Sequence, residues 1–598
     1  DPNDIRCLNA MGLWYIRKCR FDKAEEYLRK AVKLSQKRNP NPYDGEPIYN
    51  LAIALKYQGQ LEEAYEWFWK ATWNKAWTDA GYFEAAKISV AQQRLDDAIE
   101  ELNRCLIFNA HNQKALALKA SVLRHMKKKD QALVVCEEAL AIDPFNYGCL
   151  FEQFLLTEAT EKLDEMVQLM HGMSNNYDEI ALDYLSAGLR EEAEALWQTA
   201  INEGAVTPMT YYYIGRYEEA EQQSPNYCFP NRPEAAIALE KAKRENPNGA
   251  RAPYYLGCLY YDKRQYDVAI ENWELSATLD PMFPTVWRNL ALARFNKQDR
   301  QKEAVEYMEK AFALDHTDSR ILMELDQLYK RIQKSPAKRL QILQQYPQLT
   351  AQRDDLLLEE ITLLNQVGKY QEAMTKLDSH QFHPWEGGEG KVPTQYQICR
   401  VELAKQAIAD KAYDKAIKLL EECLEYPHHL GEGKLYGAQE NDFYYLLGCC
   451  HEALGERDKA HQCWELATQG PQEPAAAMYY NDAKPDKIFY QGLALIKLEH
   501  KDQANGRFYK LINFGKQHIF EKQVMDYFAV SLPDLLIWED SLDRKNEIHC
   551  KYMLALGYYG LGETEKGKRY LSELLQADIN HQGIMQLQSL IDLNHLSK

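Results

Sequence analysis

Residues 383–391 read His-Pro-Trp-Glu-Gly-Gly-Glu-Gly-Lys, with three glycines in four positions leading into a lysine. Glycine N–H groups beside a lysine are the parts of a phosphate cradle, so nucleotide binding is the first chemistry to weigh. A P-loop needs G-x-x-x-x-G-K-[ST] after a strand. Here Val392 follows Gly390-Lys391, Trp385 stands where the first glycine belongs, and helix-forming sequence precedes the loop. Nucleotide binding is excluded. A second cluster, Cys449, Cys450, His451, His461 and Cys463, carries metal-ligating side chains. Adjacent residues on a helix diverge by about 100°, and closed zinc sites use C-x₂₋₄-C spacing, which neither this cluster nor His428-His429 has. No metal and no cofactor are assigned. G-x-S-x-G, H-E-x-x-H and a dinucleotide fingerprint are missing, and the many carboxylates sit on solvated helix faces. The chemistry that remains is recognition, and the chain is expected not to be an enzyme.

Composition narrows the partners. The chain has 598 residues, 46% hydrophobic and 27% charged, enough to bury a large core. Its net charge of −18 and the lack of any Lys/Arg-rich run argue against nucleic acid, which needs a basic face. No stretch approaches the ~20 apolar residues of a membrane span. Thirteen scattered cysteines, without a C-x-x-C pair, read as buried thiols in a reducing compartment, so a cytoplasmic location is expected. The opening Asp-Pro-Asn-Asp resembles a repeat boundary, which suggests sequence upstream of Asp1.

The elements that must position any binding residue come from a repeat. Ala64, Ala98 and Ala132 lie 34 residues apart in similar frames, and so do Gly257, Ala291 and Leu325. Residues 252–281 show a whole unit. Small Gly257, Ala269 and Ala277 let two helices approach, while Leu256, Tyr260 and Trp273 fill the gaps between neighbours. Gly59, Gly188, Gly368 and Gly455 fall at the turns between helices, where a left-handed backbone suits glycine. This spacing resembles the tetratricopeptide repeat. It predicts an all-α, right-handed superhelical solenoid of about a dozen stacked hairpins. The expected organisation is a regular array over 1–145, divergent hairpins with a Pro-rich insertion over 146–232, a second array over 233–378, and a C-terminal array over 379–598. The last contains an off-pattern stretch at 525–550.

Counting in register places Tyr49, Ile53, Tyr57, Phe83, Arg251, Tyr254, Tyr261, Arg288 and Phe295 on the concave face lined by first helices. Aromatic and arginine side chains anchor peptides there, and tyrosine faces also stack on sugars. The Lys/Asn set that clamps a C-terminal carboxylate in some tetratricopeptide domains is not reproduced. Trp69, Trp73 and Trp77, at i, i+4 and i+8, form one helical stripe, read either as a docking surface or as an enlarged core.

The Gly-Lys loop has a twin. Gly388-Glu389-Gly390-Lys391 recurs 43 residues on as Gly431-Glu432-Gly433-Lys434. Each copy follows a second helix, so both should emerge on one edge in neighbouring turns, as a contact surface for a partner or a hydroxyl-rich ligand. Together with residues 39–56, 71–86, 430–448, 484–495 and 526–542, these loops resemble the C-terminal half of a bacterial family common in gut Bacteroidetes. In that family an N-terminal domain of unknown function, similar to the sugar-mutarotase fold, precedes the array. The resemblance implies a scaffold that docks such a domain, with Trp69, Trp73, Trp77 and the two loops as contact points. The alternative is a carbohydrate site shared with that domain, reached by Trp385, Glu389, Lys391, Glu432, Lys434 and the concave tyrosines. The resemblance supplies no catalytic residue.

Overall fold

The computed structural model describes residues 2–226, 228–476, 482–524 and 537–596. Among these residues every regular element is a helix, and successive helices pair as antiparallel hairpins. The chain divides into two compact units, Asp1–Met282 and Phe283–Lys598. Of the stretch 525–550, residues 525–536 lie outside the described ones, and the remainder leads into a long helix, Leu542–Gly560, which packs against Lys501–His518.

Two local devices build each hairpin. Ala64, Ala98 and Ala132 are fully buried where the helices cross. At Gly257 the approach is closer still, because a Cβ there would lie 2.3 Å from the Trp273 ring, and Gly448 stands in the same relation to Trp464. The turn between helices is held by a bond from the residue after the left-handed position to a carbonyl five residues back: Gln60 N to Leu55 O at 3.0 Å, Gln265 N to Tyr260 O at 2.8 Å. Gly59, Gly188, Gly368 and Gly455 have φ of 75–80° there, as their sequence positions predict. Gln93, Lys127, Arg264, Lys411 and Glu499 hold equivalent turns at φ of 57–65°. The hairpin geometry therefore imposes the left-handed conformation even on side chains that disfavour it.

In the first unit the array returns on itself. The Gln265 amide donates to Lys18 O at 2.9 Å, and the Tyr57 hydroxyl donates to Glu234 at 2.8 Å. In the second unit the chain's last segment lies along the middle hairpins. Helix Gln582–Leu596 packs on Lys391–Ala409, where Lys405 donates to Gln586 O at 3.1 Å and Ser589 Oγ at 3.0 Å. The turn before it meets Arg339, which is fully buried in Pro336–Leu343. Arg339 grips Asp326 through two bonds (3.0 and 2.5 Å), Glu359 at 2.5 Å and the Asn580 side chain at 2.8 Å. Gln366 donates to Asn580 O at 2.6 Å, and Gln333 accepts from Ile579 N at 2.9 Å.

Candidate functional site

In the first unit, helices Thr78–Ala91, Gln113–His125, Tyr147–Thr157 and Ser174–Ser186 surround a cavity of about 160 Å³. Phe83, Ala117, Leu118, Tyr147 and Ile180 line it, with Phe145 half-exposed at the rim. Two of the helices approach closely beside this space: a Cβ at Gly148 would lie 2.9 Å from that of Ala117. Polar side chains line the cavity too, among them Lys87, Gln113, Lys114, Asn146 and Asp183, and the Gln113 amide nitrogen is buried without a hydrogen-bond partner. Lys114 bridges to Asp183 at 2.9 Å, and burial pushes the Asp183 carboxyl up. Lys87 reaches the Phe83 ring (4.7 Å to its centre) and pairs with Glu84, which Lys56 also holds at 2.7 Å. Burial alone would raise Glu84, but the two ammonium groups outweigh it and hold the carboxyl at about 2. Burial lowers Lys87.

A polar floor adjoins the cavity. Tyr184, which lines it, donates to buried Glu152 at 2.7 Å, and Arg124 joins Glu152 (2.7 Å) to Glu192 (2.8 Å). Such a network ties three hairpins together beside the cavity. The arrangement leaves apolar space beside a closed Lys114–Asp183 ion pair, large enough to admit a side chain.

Phe83 is the one inner-face residue named from the sequence that lines this cavity. The others are engaged by their own unit. Tyr49 stacks on Trp77 with ring centres 4.6 Å apart, and Tyr57 stacks on Phe21 at 4.7 Å. Arg251 pairs with Asp280 at 3.0 Å, Tyr254 is buried, and Tyr261 packs on Trp273 at 5.3 Å. In the second unit Arg288 makes a two-bond pair with Glu324 (2.7 and 2.6 Å), and Phe295 meets Trp538 edge-on at 5.3 Å. Register assigns positions along first helices but cannot show which of them another segment covers.

The tryptophans do not share a stripe. The helix that carries Trp69 ends at Ala71, and the Asn74 side chain caps a short turn over Lys75–Trp77. Trp69 donates to Glu101 at 2.9 Å and packs edge-on against Tyr82, and Trp77 sits on Tyr49. Trp73 alone of the three is largely exposed, at 69%. Sequence spacing assumed a continuous helix where Thr78 bonds back to Thr72 O at 2.9 Å and folds the turn.

The two Gly-Lys loops lie against each other. Phe382 N donates to His429 O at 2.8 Å, and Gly390 N donates to the Glu432 carboxylate at 2.8 Å. Glu432 thereby meets the N-terminus of helix Lys391–Ala409, where a negative charge is favoured, although burial raises its pKa. Trp385 folds over Gly388, whose position would place a Cβ 2.3 Å from the indole. Lys434 donates to Leu424 O at 2.8 Å and pairs with Glu440 at 2.5 Å, Glu389 is half-buried, and Lys391 is exposed. Beyond the second loop Leu435 and Tyr436 stand exposed, a feature the loop motif did not signal.

Among the described residues no group of three His, Cys, Asp or Glu side chains could hold a metal ion. His451 pairs with Glu456 at 2.6 Å, and burial pushes the Cys449 and Cys450 thiols up to about 11 and about 12. All thirteen cysteines are free thiols. No described helix is long and apolar enough to cross a membrane.

Three stretches match family models of the tetratricopeptide repeat: residues 5–38 and 113–146 with one, residues 254–318 with another. These coincide with helical hairpins, and 113–146 supplies one wall of the cavity. Similar solved structures include a tetratricopeptide repeat protein from Parabacteroides merdae, 16% identical over 51% of this chain and 98% of that one, TM-score 0.24. The Cut9–Hcn1 hetero-tetramer of the APC/C is 13% identical over 85% and 93%, TM-score 0.23. Yeast Tom70 is 14% identical over 76% and 96%, TM-score 0.24.

Proposed function

We propose that this chain is a non-enzymatic protein-interaction scaffold whose first unit takes an apolar side chain of a partner segment into the cavity beside Phe83. The observation that carries this reading is the cavity itself. It opens among first helices of repeats whose general role is protein binding, it is mostly apolar, and its Lys114–Asp183 pair offers polar contacts to a peptide backbone. A peptide library displayed on phage and panned on the whole chain tests it. Selected peptides should bind the wild type and lose at least tenfold affinity for Ala117→Phe, which fills the cavity. Peptides that bind both proteins equally refute the assignment.

The finer reading rests on the sequence resemblance. It adds a second partner, an N-terminal domain similar to the sugar-mutarotase fold, resting on the exposed edge at Trp73 or at Leu435–Tyr436 beside the loops. The shared carbohydrate site is less well supported, because Lys434 and Glu432 spend their polar groups on Glu440, Leu424 and Gly390. In a protein carrying that domain, Leu435→Asp with Tyr436→Asp should release it after proteolysis of the linker. Co-elution unchanged by the double substitution argues against docking at this edge. The thirteen free thiols fit a reducing compartment such as the cytoplasm.

A further inference from the structure

The second unit carries a peptide-like occupant of its own. Residues Ile537–Asp540 precede helix Leu542–Gly560, yet they lie on Pro284–Gln298 and Ser319–Arg331, more than 200 residues upstream. Trp538 is 1% exposed, meets Phe295 edge-on, and donates its indole N–H to Glu324 O at 2.8 Å. Asn296 grips the backbone on both sides of it. Its amide donates to Ile537 O at 2.8 Å and accepts from Glu539 N at 2.8 Å. The two carboxylates that follow are met by cations, Glu539 by Lys297 and Asp540 by Arg331.

Each of these contacts is of a kind used to hold an extended ligand. A side-chain amide that satisfies both a C=O and an N–H of one residue's flanks binds any backbone in extended form, whatever its sequence. Selectivity then comes from the indole pocket and from the order of charges, aromatic first and two carboxylates after it. None of the four residues belongs to a helix or to the repeat pattern.

We propose that the face formed by Phe295, Asn296, Lys297, Glu324 and Arg331 is a recognition groove for an extended Trp-acidic-acidic segment, held in cis by Ile537–Asp540 and able to take the same motif from a partner protein. It is separate from the first-unit cavity and stands or falls independently of it. Because the cis segment is tethered, its effective concentration at the groove is of millimolar order, and a free peptide must compete with it.

The test uses the whole chain and a fluorescein-labelled peptide, Gly-Gly-Ile-Trp-Glu-Asp-Ser-Gly. The Trp538→Ala protein should bind this peptide saturably and at least tenfold more tightly than the wild type does. Asn296→Ala added to it should abolish binding, and a peptide with both acidic residues replaced by lysine should not bind. Should Trp538→Ala fail to fold, Glu539→Lys with Asp540→Lys releases the same segment by setting like charges against Lys297 and Arg331, and it should show the same gain. Equal binding to wild type and variant overturns the proposal. So does no binding to any folded variant, which would make the segment a fixed part of the core.

Discussion

Replacing Arg339 by methionine isolates what holds the end of the second unit to its middle. The guanidinium is fully buried and bonds Asp326, Glu359 and Asn580. Methionine keeps most of the volume and removes the charge, leaving buried Asp326 without its main partner and partly buried Glu359 with Lys330 alone. Breaking one side of such a pair costs about 3–5 kcal/mol. Protonation sets a ceiling, since neutralising an ordinary aspartate at pH 7 costs about 1.36 × 3, or roughly 4 kcal/mol. The expected loss is therefore about 4 kcal/mol at pH 7. Burial already pushes Asp326 up in the wild type, while Lys330 and Arg339 outweigh burial and hold Glu359 well below the usual carboxylate range. Without Arg339 both carboxyls rise. A raised acid binds its proton more readily folded than unfolded, so the penalty shrinks as pH falls, by up to about 1.4 kcal/mol per unit per group. Urea denaturation at pH 7 and pH 5, followed by circular dichroism, measures both numbers. A triple variant with Arg339→Met, Asp326→Leu and Glu359→Leu should recover much of the loss, as whole buried pairs often can be replaced by apolar groups. A loss below about 1 kcal/mol, or one identical at the two pH values, would refute the reasoning.

Three further outcomes follow from local geometry. Gly257→Ala sets a methyl group 2.3 Å from the Trp273 ring and should destabilise by about 1–3 kcal/mol in thermal unfolding, whereas alanine at Gly506, inside helix Lys501–His518 with open space around it, should stabilise by up to about 1 kcal/mol. Glu84, held at about 2 against its ordinary 4.5, contributes stability that is present above that ordinary value and lost as pH falls toward 2. Acid titration of the wild type should show roughly 3 kcal/mol of such loss, and Glu84→Gln should lose its share already at neutral pH and flatten the acid limb. Among the cysteines Cys7 alone is exposed, so a thiol reagent under native conditions should label it first; rapid labelling of Cys105 or Cys423 would contradict their burial.

The repeat spacing made the hairpins legible, because Ala64, Ala98, Ala132 and Gly257 are small for a reason that acts within one pair of helices. The left-handed turns at Gly59 and Gly455 were legible for the same reason, while those at Gln93 and Lys127 were not, since there the tertiary geometry overrides the residue's own preference. The adjacency of the two Gly-Lys loops followed from their spacing; their bonding to each other through Glu432 and Gly390 did not. The inner face shows the limit most clearly. Phe83 and Phe295 were both read as inner-face residues of first helices, yet one borders open space and the other lies under Trp538, a residue more than 200 positions away that no repeat periodicity connects to it. The cavity is a property of how four helices pack together and has no motif.

The contacts of Asn580 and of helix Gln582–Leu596 with hairpins far upstream change how the second unit should come apart. A stack in which each hairpin touches only its neighbours frays from its ends and folds from any point along its length. Here the last turn closes a loop of 241 residues onto Arg339, and such long-range closure slows folding while coupling distant segments into one cooperative step. Truncation after Ala577 would do more than shorten the array. It would loosen Ser319–Arg331 and Asp354–Gln366, so the earliest amide exchange would appear in the unit's middle rather than at its new end.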